Sequence, residues 1–385
     1  MSRFKKGFLF FLIIVFIWTG LPVKASAELR IASYSAIIMD QKTGRVFYEK
    51  NAHTPRKIAS ITKIMTAIIA IESGKMDELV TVTSRAVNTE GSSIYLKPGE
   101  KIKLEHLVYG LMLRSGNDAA VAIAEHVGGS LEGFVYLMNE KAAQLGMVNT
   151  NFTNPHGLDD SEDHYSTAYD MAILTRYAMQ NETFRKISGT RVHHAPNPDS
   201  QWDRKWSNKH RLVRGMYKYT TGGKTGYTKL AKRSLVTTAK KNGMELIAVT
   251  LNSETTNDWN EHIQMFEHVF SNYQYERVLK EGPIDVINEE IYKNRAYLPH
   301  DYHYPITSDE KDLFKVHYRI EKPKKSWTRH PEQIPEVIGK AEIYFDEELV
   351  DVIPVYFKYE GEKKKSFFEY VREMFGAIIG VKIDD

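Results

Sequence analysis

Two residues three positions apart, Ser60 and Lys63, form the first arrangement in this chain that could do chemistry. A spacing of three residues places both side chains on one face of a helix. A serine hydroxyl becomes an effective nucleophile when a base removes its proton, and a lysine can be that base when its surroundings lower its pKa. The same pattern recurs at residues 2–5 and 308–311, so the spacing alone identifies no site.

Two further motifs combine small polar residues with glycine. Ser115-Gly116-Asn117 is the only Ser-x-Asn sequence in the chain and separates two helical patterns. A helix C-cap followed by an N-cap explains it as well as a cleft does. Lys224-Thr225-Gly226 ends a run of small residues that reads as a strand, where glycine lets a ligand lie close to the backbone. The other Lys-Thr-Gly sequence, at 42–44, is explained by a hairpin turn.

The patterns around these motifs predict the elements that must position them. Residues 58–71 are apolar on nearly every side and predict a buried helix, which holds Ser60 and Lys63. Hairpins are expected where two strand-like runs flank a Gly-containing turn, at 34–48, and around the Asn-Gly turn at 242–243. Helical periodicity is present at 104–113, 118–127, 131–145 and 259–270. After residue 282 the runs are short and β-rich, at 314–320, 341–345 and 349–357.

The three motifs occur in the order that class A β-lactamases and penicillin-binding proteins share. With the surrounding sequence, including Asn154-Pro-His-Gly-Leu-Asp159, the chain resembles the serine D-alanyl-D-alanine carboxypeptidases, the low-molecular-weight penicillin-binding proteins of the peptidase S11 family. It looks closest to the sporulation-type members of that family. The resemblance implies an α/β fold of the penicillin-binding protein and β-lactamase type, with an inserted helical subdomain and a following small all-β domain.

The resemblance also implies a role for each motif residue. Ser60 would be the acyl-enzyme nucleophile, Lys63 its proton acceptor, and Ser115 a relay toward the leaving amine. Asn117 would hold the substrate's peptide carbonyl. The substrate-binding residues would be Lys224, Thr225 and Gly226. One donor of the oxyanion hole would be a backbone N–H near Tyr227 or Thr228.

The expected activity is removal of the terminal D-alanine from peptidoglycan stem pentapeptides, in spore cortex or cell-wall maturation, with β-lactams as acylating inhibitors. The expected partners are therefore the stem peptide and β-lactams, and no cofactor is expected.

Two departures from the family concern the substrate carboxylate. Several relatives place an arginine after the strand that corresponds to residues 246–251, whereas the stretch here, Leu251-Asn-Ser-Glu254, contains none. Arg233 or Lys229 could replace it. Tyr227 stands where a histidine is common.

Other activities remain open on sequence alone. A β-lactamase would need a glutamate-held water, but residues 154–170 show no clear Glu-x-x-x-Asn pattern. A penicillin-sensing or wall-binding module would acylate without turnover. The acidic and histidine residues of the same stretch could suggest zinc, yet they lie in a Pro/Gly-containing loop rather than on a helix, so we expect a structural role and no metal. They are His156, Asp159, Asp160 and His164.

Composition bounds the remaining possibilities. The 385 residues are 42% apolar and 26% charged, as in soluble globular proteins, and contain no cysteine, which excludes disulfides and thiolate chemistry. The formal charge is +3, but residues 1–27 contain four bases and no acid, so no nucleic-acid partner is expected.

The two ends of the chain have patterns of their own. Residues 1–27 have the anatomy of an export signal, a basic start, an apolar run and a small-residue cleavage site. The tail, 363–385, has an apolar helical face and five basic residues, which favours a membrane surface over a span, and a helix docked on the protein's own β domain is the alternative. We therefore expect an exported protein, peripheral to the membrane or wall-associated, with a catalytic domain at 28–281 and an all-β domain at 282–362.

Overall fold

The computed structural model describes residues 29–197, 201–287 and 289–359. The predicted export signal and the predicted amphipathic tail helix lie outside these residues. Residues 29–32 contain no helix or strand, and every element below lies in the compact unit that begins at Ser33.

The first strands, β1 (Ser35–Asp40) and β2 (Val46–Lys50), form the predicted antiparallel hairpin. Asp40 closes its turn, because its carboxylate accepts the backbone N–H groups of Lys42 and Thr43. The turn thus accounts for the first Lys-Thr-Gly sequence without any chemistry.

The predicted helix over 58–71 is divided in two. Ala59–Thr62 is a turn of 3-10 helix, and the α-helix α1 runs from Lys63 to Glu72. Every residue of α1 from Lys63 to Ile71 is buried, so the helix lies inside the protein as its apolar composition predicts.

Short elements and then a helical layer follow α1. The strands β3 (Leu79–Thr81) and β4 (Lys101–Lys103) pair with each other, and α2 (Ser84–Val87) lies between them. Three of the predicted helices are confirmed as α3 (Leu104–Arg114), α4 (Asn117–Gly128) and α5 (Leu131–Gln144). All three are helices of the predicted subdomain, and α3 and α4 meet at the Ser115-Gly116 junction.

The stretch between the second and third motifs contains elements that the sequence patterns did not reveal. They are α6 (Ala168–Ala178), α7 (Glu182–Gly189), β5 (Val192–Ala195) and β6 (Arg204–Ser207). Side-chain caps begin both helices: the Thr167 hydroxyl accepts the N–H of Asp170, and the Asn181 side chain accepts the N–H of Phe184.

Three long strands complete the main sheet: β7 (Thr220–Thr228), β8 (Lys232–Lys241) and β9 (Met244–Ser253). The predicted Asn242-Gly243 turn joins the last two, with positive φ at both residues. The strand order is β2-β1-β9-β8-β7, so β7 lies at one edge. The helix α8 (Asp258–Asn272) packs against β8 and β9.

The C-terminal region has its own hydrophobic core and sheets. A two-stranded sheet pairs β10 (Gln274–Leu279) with β13 (Tyr302–Ile306). The strands of the larger sheet are β11 (Gly282–Pro283), β12 (Ala296–Leu298), β14 (Phe314–Ile320), β15 (Val337–Phe345) and β16 (Glu348–Phe357). Their order is β11-β12-β16-β15-β14. The predicted β-rich runs are therefore confirmed as strands.

Arg45 in the first hairpin joins the two regions. Its guanidinium donates to Glu310 at 2.6 and 3.0 Å, and it lies over the rings of Phe345 and Tyr304. The arginine is only 12% exposed.

Candidate active site

The turn that carries Ser60 is fixed by a glycine of a distant loop. Ala59 has a φ of 51°, and Gly157, with a φ of 84°, lies against its carbonyl. A Cβ on Gly157 would come within 2.0 Å of the Ala59 oxygen. Only glycine fits there, so the loop at 154–164 holds the 3-10 turn in place and orients Ser60.

Lys63 lies directly beneath Ser60 in a fully buried position. Its Nζ is 3.0 Å from Ser60 Oγ, 2.7 Å from Asn117 Oδ1 and 2.6 Å from the His156 carbonyl oxygen. Burial, with smaller contributions from Lys224 and Lys209, holds the pKa of Lys63 well below its usual value. A neutral amine donates to the two carbonyl oxygens and keeps its lone pair for the Ser60 hydroxyl proton.

Ser115 and Lys224 form a second pair of hydroxyl and amine. Ser115 ends α3 with a φ of 64°, a costly conformation for a residue other than glycine, and it is 5% exposed. The buried Lys224 Nζ donates to Ser115 Oγ at 3.0 Å and to the Thr225 carbonyl oxygen. Burial, then the charge of Lys209, lowers the pKa of Lys224 to about 7.

The strand β7 brings the third motif against the nucleophile. A Cβ on Gly226 would lie 3.0 Å from the backbone N of Ser60, which shows how closely the strand passes. Among the described strands β7 pairs with β8 alone, so no described strand covers its other edge, although Gly189 packs against it at Thr221. Such an edge binds a peptide through main-chain hydrogen bonds, as an added strand.

The motif residues meet around a cavity of about 360 Å³. Ser60, Ser115, Thr225 and Gly226 line it, while Lys63, Asn117 and Lys224 lie behind the two serines. The structure therefore brings together every site residue that the sequence predicts.

Lys209 and Ser92 also line this cavity, and sequence reasoning missed both. The Lys209 Nζ donates to Ser92 Oγ at 3.0 Å. Burial and the nearby Arg114 lower the pKa of Lys209. Neither residue belongs to a motif, so no sequence signal marks them.

Of the two replacements considered for a carboxylate-binding arginine, Arg233 lines the cavity and Lys229 does not. The Arg233 Nε donates to Asp258 Oδ2 at 3.0 Å, and its guanidinium lies 5.6 Å from the Trp259 ring centre. Asp258 is buried beneath it. This bond fixes the guanidinium through its Nε in the wall of the cavity.

The loop at 154–164 serves the site through its backbone and its packing. His156 gives its carbonyl oxygen to Lys63, and the His164 Nε2 lies 2.9 Å from Thr62 Oγ1. Asp160 accepts the Asn154 side-chain amide. Burial lowers the pKa of His156 to about 3 and that of His164 to about 4, so both rings are neutral near pH 7. Within the described ranges, no three His, Asp or Glu side chains converge as metal ligands would.

Residues 22–255 match the sequence model of the D-alanyl-D-alanine carboxypeptidase family, and residues 273–363 match that of the penicillin-binding protein 5 C-terminal domain. The chain is 39% identical over 259 residues to D-alanyl-D-alanine carboxypeptidase DacF of Bacillus subtilis, a match that covers 65% of each. It is 35% identical over 268 residues to DacC of Escherichia coli, covering 62% of each. The chain thus spans less than two thirds of the length of these curated relatives.

Two solved structures resemble the protein over most of its length. Penicillin binding protein 5 from Haemophilus influenzae matches with a TM-score of 0.69 and 27% identity, covering 86% of this chain and 98% of that one. The D-alanyl-D-alanine carboxypeptidase DacD from Francisella tularensis matches with a TM-score of 0.67 and 25% identity, covering 88% and 95%. These likenesses confirm the predicted α/β fold with a following β domain.

Proposed function

Because this chain belongs to the D-alanyl-D-alanine carboxypeptidase family, we propose that it removes the terminal D-alanine from peptidoglycan stem peptides through an acyl-enzyme on Ser60. The observation that carries the proposal is the position of the Lys63 amine, 3.0 Å from Ser60 Oγ in a fully buried site that favours its neutral form. That arrangement gives a serine hydroxyl the base it needs.

The proposed acylation moves one proton along the two hydroxyl and amine pairs. Ser60 Oγ attacks the carbonyl carbon of the penultimate D-alanine while its proton passes to Lys63. The peptide C–N bond then breaks, and the leaving amine of the terminal D-alanine takes a proton from Ser115, which regains one from Lys63. Lys224, bonded to Ser115, supports this transfer with its positive field when it is protonated. Water later hydrolyses the ester and frees Ser60.

The same cavity offers contacts for the ends of the substrate. Asn117, whose side-chain oxygen accepts from Lys63, would hold the penultimate peptide unit, and the edge of β7 at Thr225 and Gly226 would pair with the substrate backbone. We assign the terminal carboxylate to Thr225 and to Arg233, because a guanidinium fixed by a buried carboxylate is a preorganised donor pair for another carboxylate.

Labelling and hydrolysis test the nucleophile together. Benzylpenicillin is expected to acylate Ser60, and Ser60→Ala is expected to abolish both this label and D-alanine release from diacetyl-L-Lys-D-Ala-D-Ala. Persistent labelling of Ser60→Ala would refute the assignment. Rapid turnover of benzylpenicillin would instead indicate a β-lactamase, and labelling without D-alanine release would indicate a penicillin sensor.

Arg233 is tested by changing the enzyme and the substrate at once. Arg233→Gln should raise KM for a peptide ending in free D-alanine about tenfold, as expected for one charge-assisted contact. It should hardly change KM for the same peptide ending in D-alaninamide. Lys229→Gln, which removes a nearby charge outside the cavity, is the matched control. Equal effects on both peptides would argue against the assignment.

The place of action follows from the family, whose members act on peptidoglycan outside the cytoplasm. No helix among the residues that the structure describes is long and apolar enough to span a membrane. We propose export by the signal at 1–27 and attachment to anionic membrane surfaces by the tail at 363–385. Deleting residues 366–385 should move the enzyme from anionic vesicles to the soluble fraction with peptide hydrolysis intact. Unchanged sedimentation with vesicles would contradict the attachment.

Two finer roles complete the proposal. The likeness to DacF supports a role in spore cortex or cell-wall maturation. Muropeptide profiles of a strain that lacks the enzyme test this role. Loss of the stem peptides without a terminal D-alanine would support it, and their persistence would contradict it. We also propose that the all-β region at 282–362 is a spacer without chemistry. Its separate core supports this division, and an alanine substitution there that abolished acylation of a folded enzyme would overturn it.

A further inference from the structure

Positive charge is concentrated in one part of this chain. Residues 183–244 contain fifteen Lys and Arg residues against two Asp and no Glu, whereas the whole chain has a formal charge of only +3. The rest of the chain is therefore acidic overall. Three of these cations, Lys209, Lys224 and Arg233, belong to the catalytic cleft. Five others are exposed and do not line it, and we call them the basic face: Arg185, Lys186, Arg191, Arg211 and Arg214.

Three segments bring the basic face together beside the first half of β7. The helix α7 carries its first two residues, and Gly189 at the end of this helix packs against Thr221 of the strand. A helical turn, Leu212–Met216, carries its last arginine and packs against the same strand. The Arg191 Nε donates to the Val213 carbonyl oxygen at 3.1 Å, so this arginine links the helix to the turn. The five side chains therefore lie on neighbouring segments of one surface.

In the part of the chain that the structure describes, no carboxylate pairs with the basic face. The ion pairs made by cations of residues 183–244 all involve other members of that stretch: Arg204 with Glu100, Arg233 with Asp258, Lys240 with Glu245, and Lys241 with Glu267. The one acid on the same segments is Glu182, the first residue of α7, and it forms no ion pair with the two cations of that helix. A surface that carries one sign of charge concentrates ligands of the opposite sign.

The side chains of the basic face suit phosphate groups. Four of the five are arginines, and a planar guanidinium binds phosphate oxygens through two parallel N–H groups. Apolar side chains that could enter a bilayer are sparse, since the exposed large apolar residues of these segments are Val192 and Met216, at 42% and 43%. Binding to a lipid surface combines basic residues with a continuous apolar face. The basic face therefore fits a hydrated polyanion better than a membrane.

We propose that the basic face binds a linear phosphodiester polymer of the cell wall, of the polyol-phosphate type. Cations spread over three segments match phosphates repeated along a flexible chain rather than one compact anion. Members of the family act on peptidoglycan outside the cytoplasm, so the polyanion within reach is a wall polymer and not a nucleic acid. Arg211 lies two residues from Lys209, which lines the cleft, so the bound polymer would hold the cleft beside the wall. This binding is additional to the proposed hydrolysis and does not depend on it.

The test measures binding of fluorescently labelled poly(glycerol phosphate) to the full-length enzyme, by anisotropy at several salt concentrations. The wild type should bind, and salt should raise Kd because it screens the exposed charges. Arg211→Gln/Arg214→Gln should raise Kd about fivefold at low salt, as two exposed charge contacts allow. The matched control, Lys101→Gln/Lys322→Gln, removes the same charge from two separate exposed positions and should keep Kd within about twofold of the wild type.

A second variant, Arg185→Gln/Lys186→Gln, repeats the test on α7 and should weaken binding to a similar extent. Absence of polymer binding by the wild type, or equal Kd values for the control and both face variants, would overturn the proposal. Loss of sedimentation with phosphatidylglycerol vesicles by the face variants, with polymer binding retained, would assign the surface to the membrane instead.

Hydrolysis provides the check on folding. Arg211→Gln/Arg214→Gln should release D-alanine from diacetyl-L-Lys-D-Ala-D-Ala as the wild type does, because neither arginine lines the cleft. No D-alanine release by the wild type would refute the proposed function and leave the polymer measurement valid, since that measurement uses no peptide substrate.

Discussion

Replacing Lys63 by arginine tests the central element of the site, a lysine that must lose its proton. The wild-type amine is buried, with three oxygens within 3.0 Å, and its lowered pKa favours the neutral form. A guanidinium keeps its proton in proteins, so Lys63→Arg retains a positive charge and removes the base. Loss of general-base catalysis typically costs 100- to 10,000-fold, or about 3–5 kcal/mol in the activation barrier.

The assay is the second-order rate constant for acylation by benzylpenicillin, measured beside D-alanine release. Because arginine is larger than lysine, Lys63→Met serves as a second variant that fits the space without a base, and both should lose at least 100-fold. Lys141→Arg, at a lysine paired with Glu72 and Tyr177 rather than with the site, is the control. Acylation of a folded Lys63→Met protein within tenfold of the wild type would refute the role of Lys63.

Three other predictions concern stability and the turn of the nucleophile. Lys224 has a folded pKa of about 7, whereas the unfolded chain holds this proton up to about pH 10.5, so its burial makes stability rise with pH between those values. In urea unfolding measured between about pH 7 and 10, the free energy of unfolding should rise less steeply with pH for Lys224→Met than for the wild type. An unchanged slope would contradict the low pKa. Arg45→Ala should lower the free energy of unfolding by about 3 kcal/mol, since it strands Glu310 at the junction, and a loss below 1 kcal/mol would show that the pair contributes little. Gly157→Ala should displace Ala59 and slow acylation at least tenfold, and wild-type labelling kinetics would show that the turn tolerates a side chain.

Much of the catalytic region is predictable from local pattern. Hairpins at 34–48 and around 242–243, and helices near 104, 118 and 131, follow from turn residues and periodicity, because those signals lie within a few residues of the elements they define. The order of the three motifs likewise selects Ser60 and Lys224 among several chance matches.

What sequence could not predict depends on contacts between distant segments. The helix predicted over 58–71 starts its α-helical part only at Lys63, because Gly157, far along the chain, packs against the Ala59 carbonyl of the preceding turn. Lys209 enters the cleft from an irregular stretch, and its bond to Ser92 joins residues 117 positions apart. Arg233 could be chosen over Lys229 only once the ion pair with Asp258 was visible.

The strand order β2-β1-β9-β8-β7 determines when the active site can form during synthesis of the chain. The strand β1 is paired with β9, so Ile37 meets Val249 across more than two hundred intervening residues. Contacts of this separation close slowly, because the whole intervening loop must be ordered first. During synthesis, Ser60 is therefore made long before β7, the strand that faces it, can join the sheet through β8 and β9. Reactivity toward β-lactams should arise in a single late step, after residue 253 has been synthesised, and chains arrested earlier should remain unlabelled.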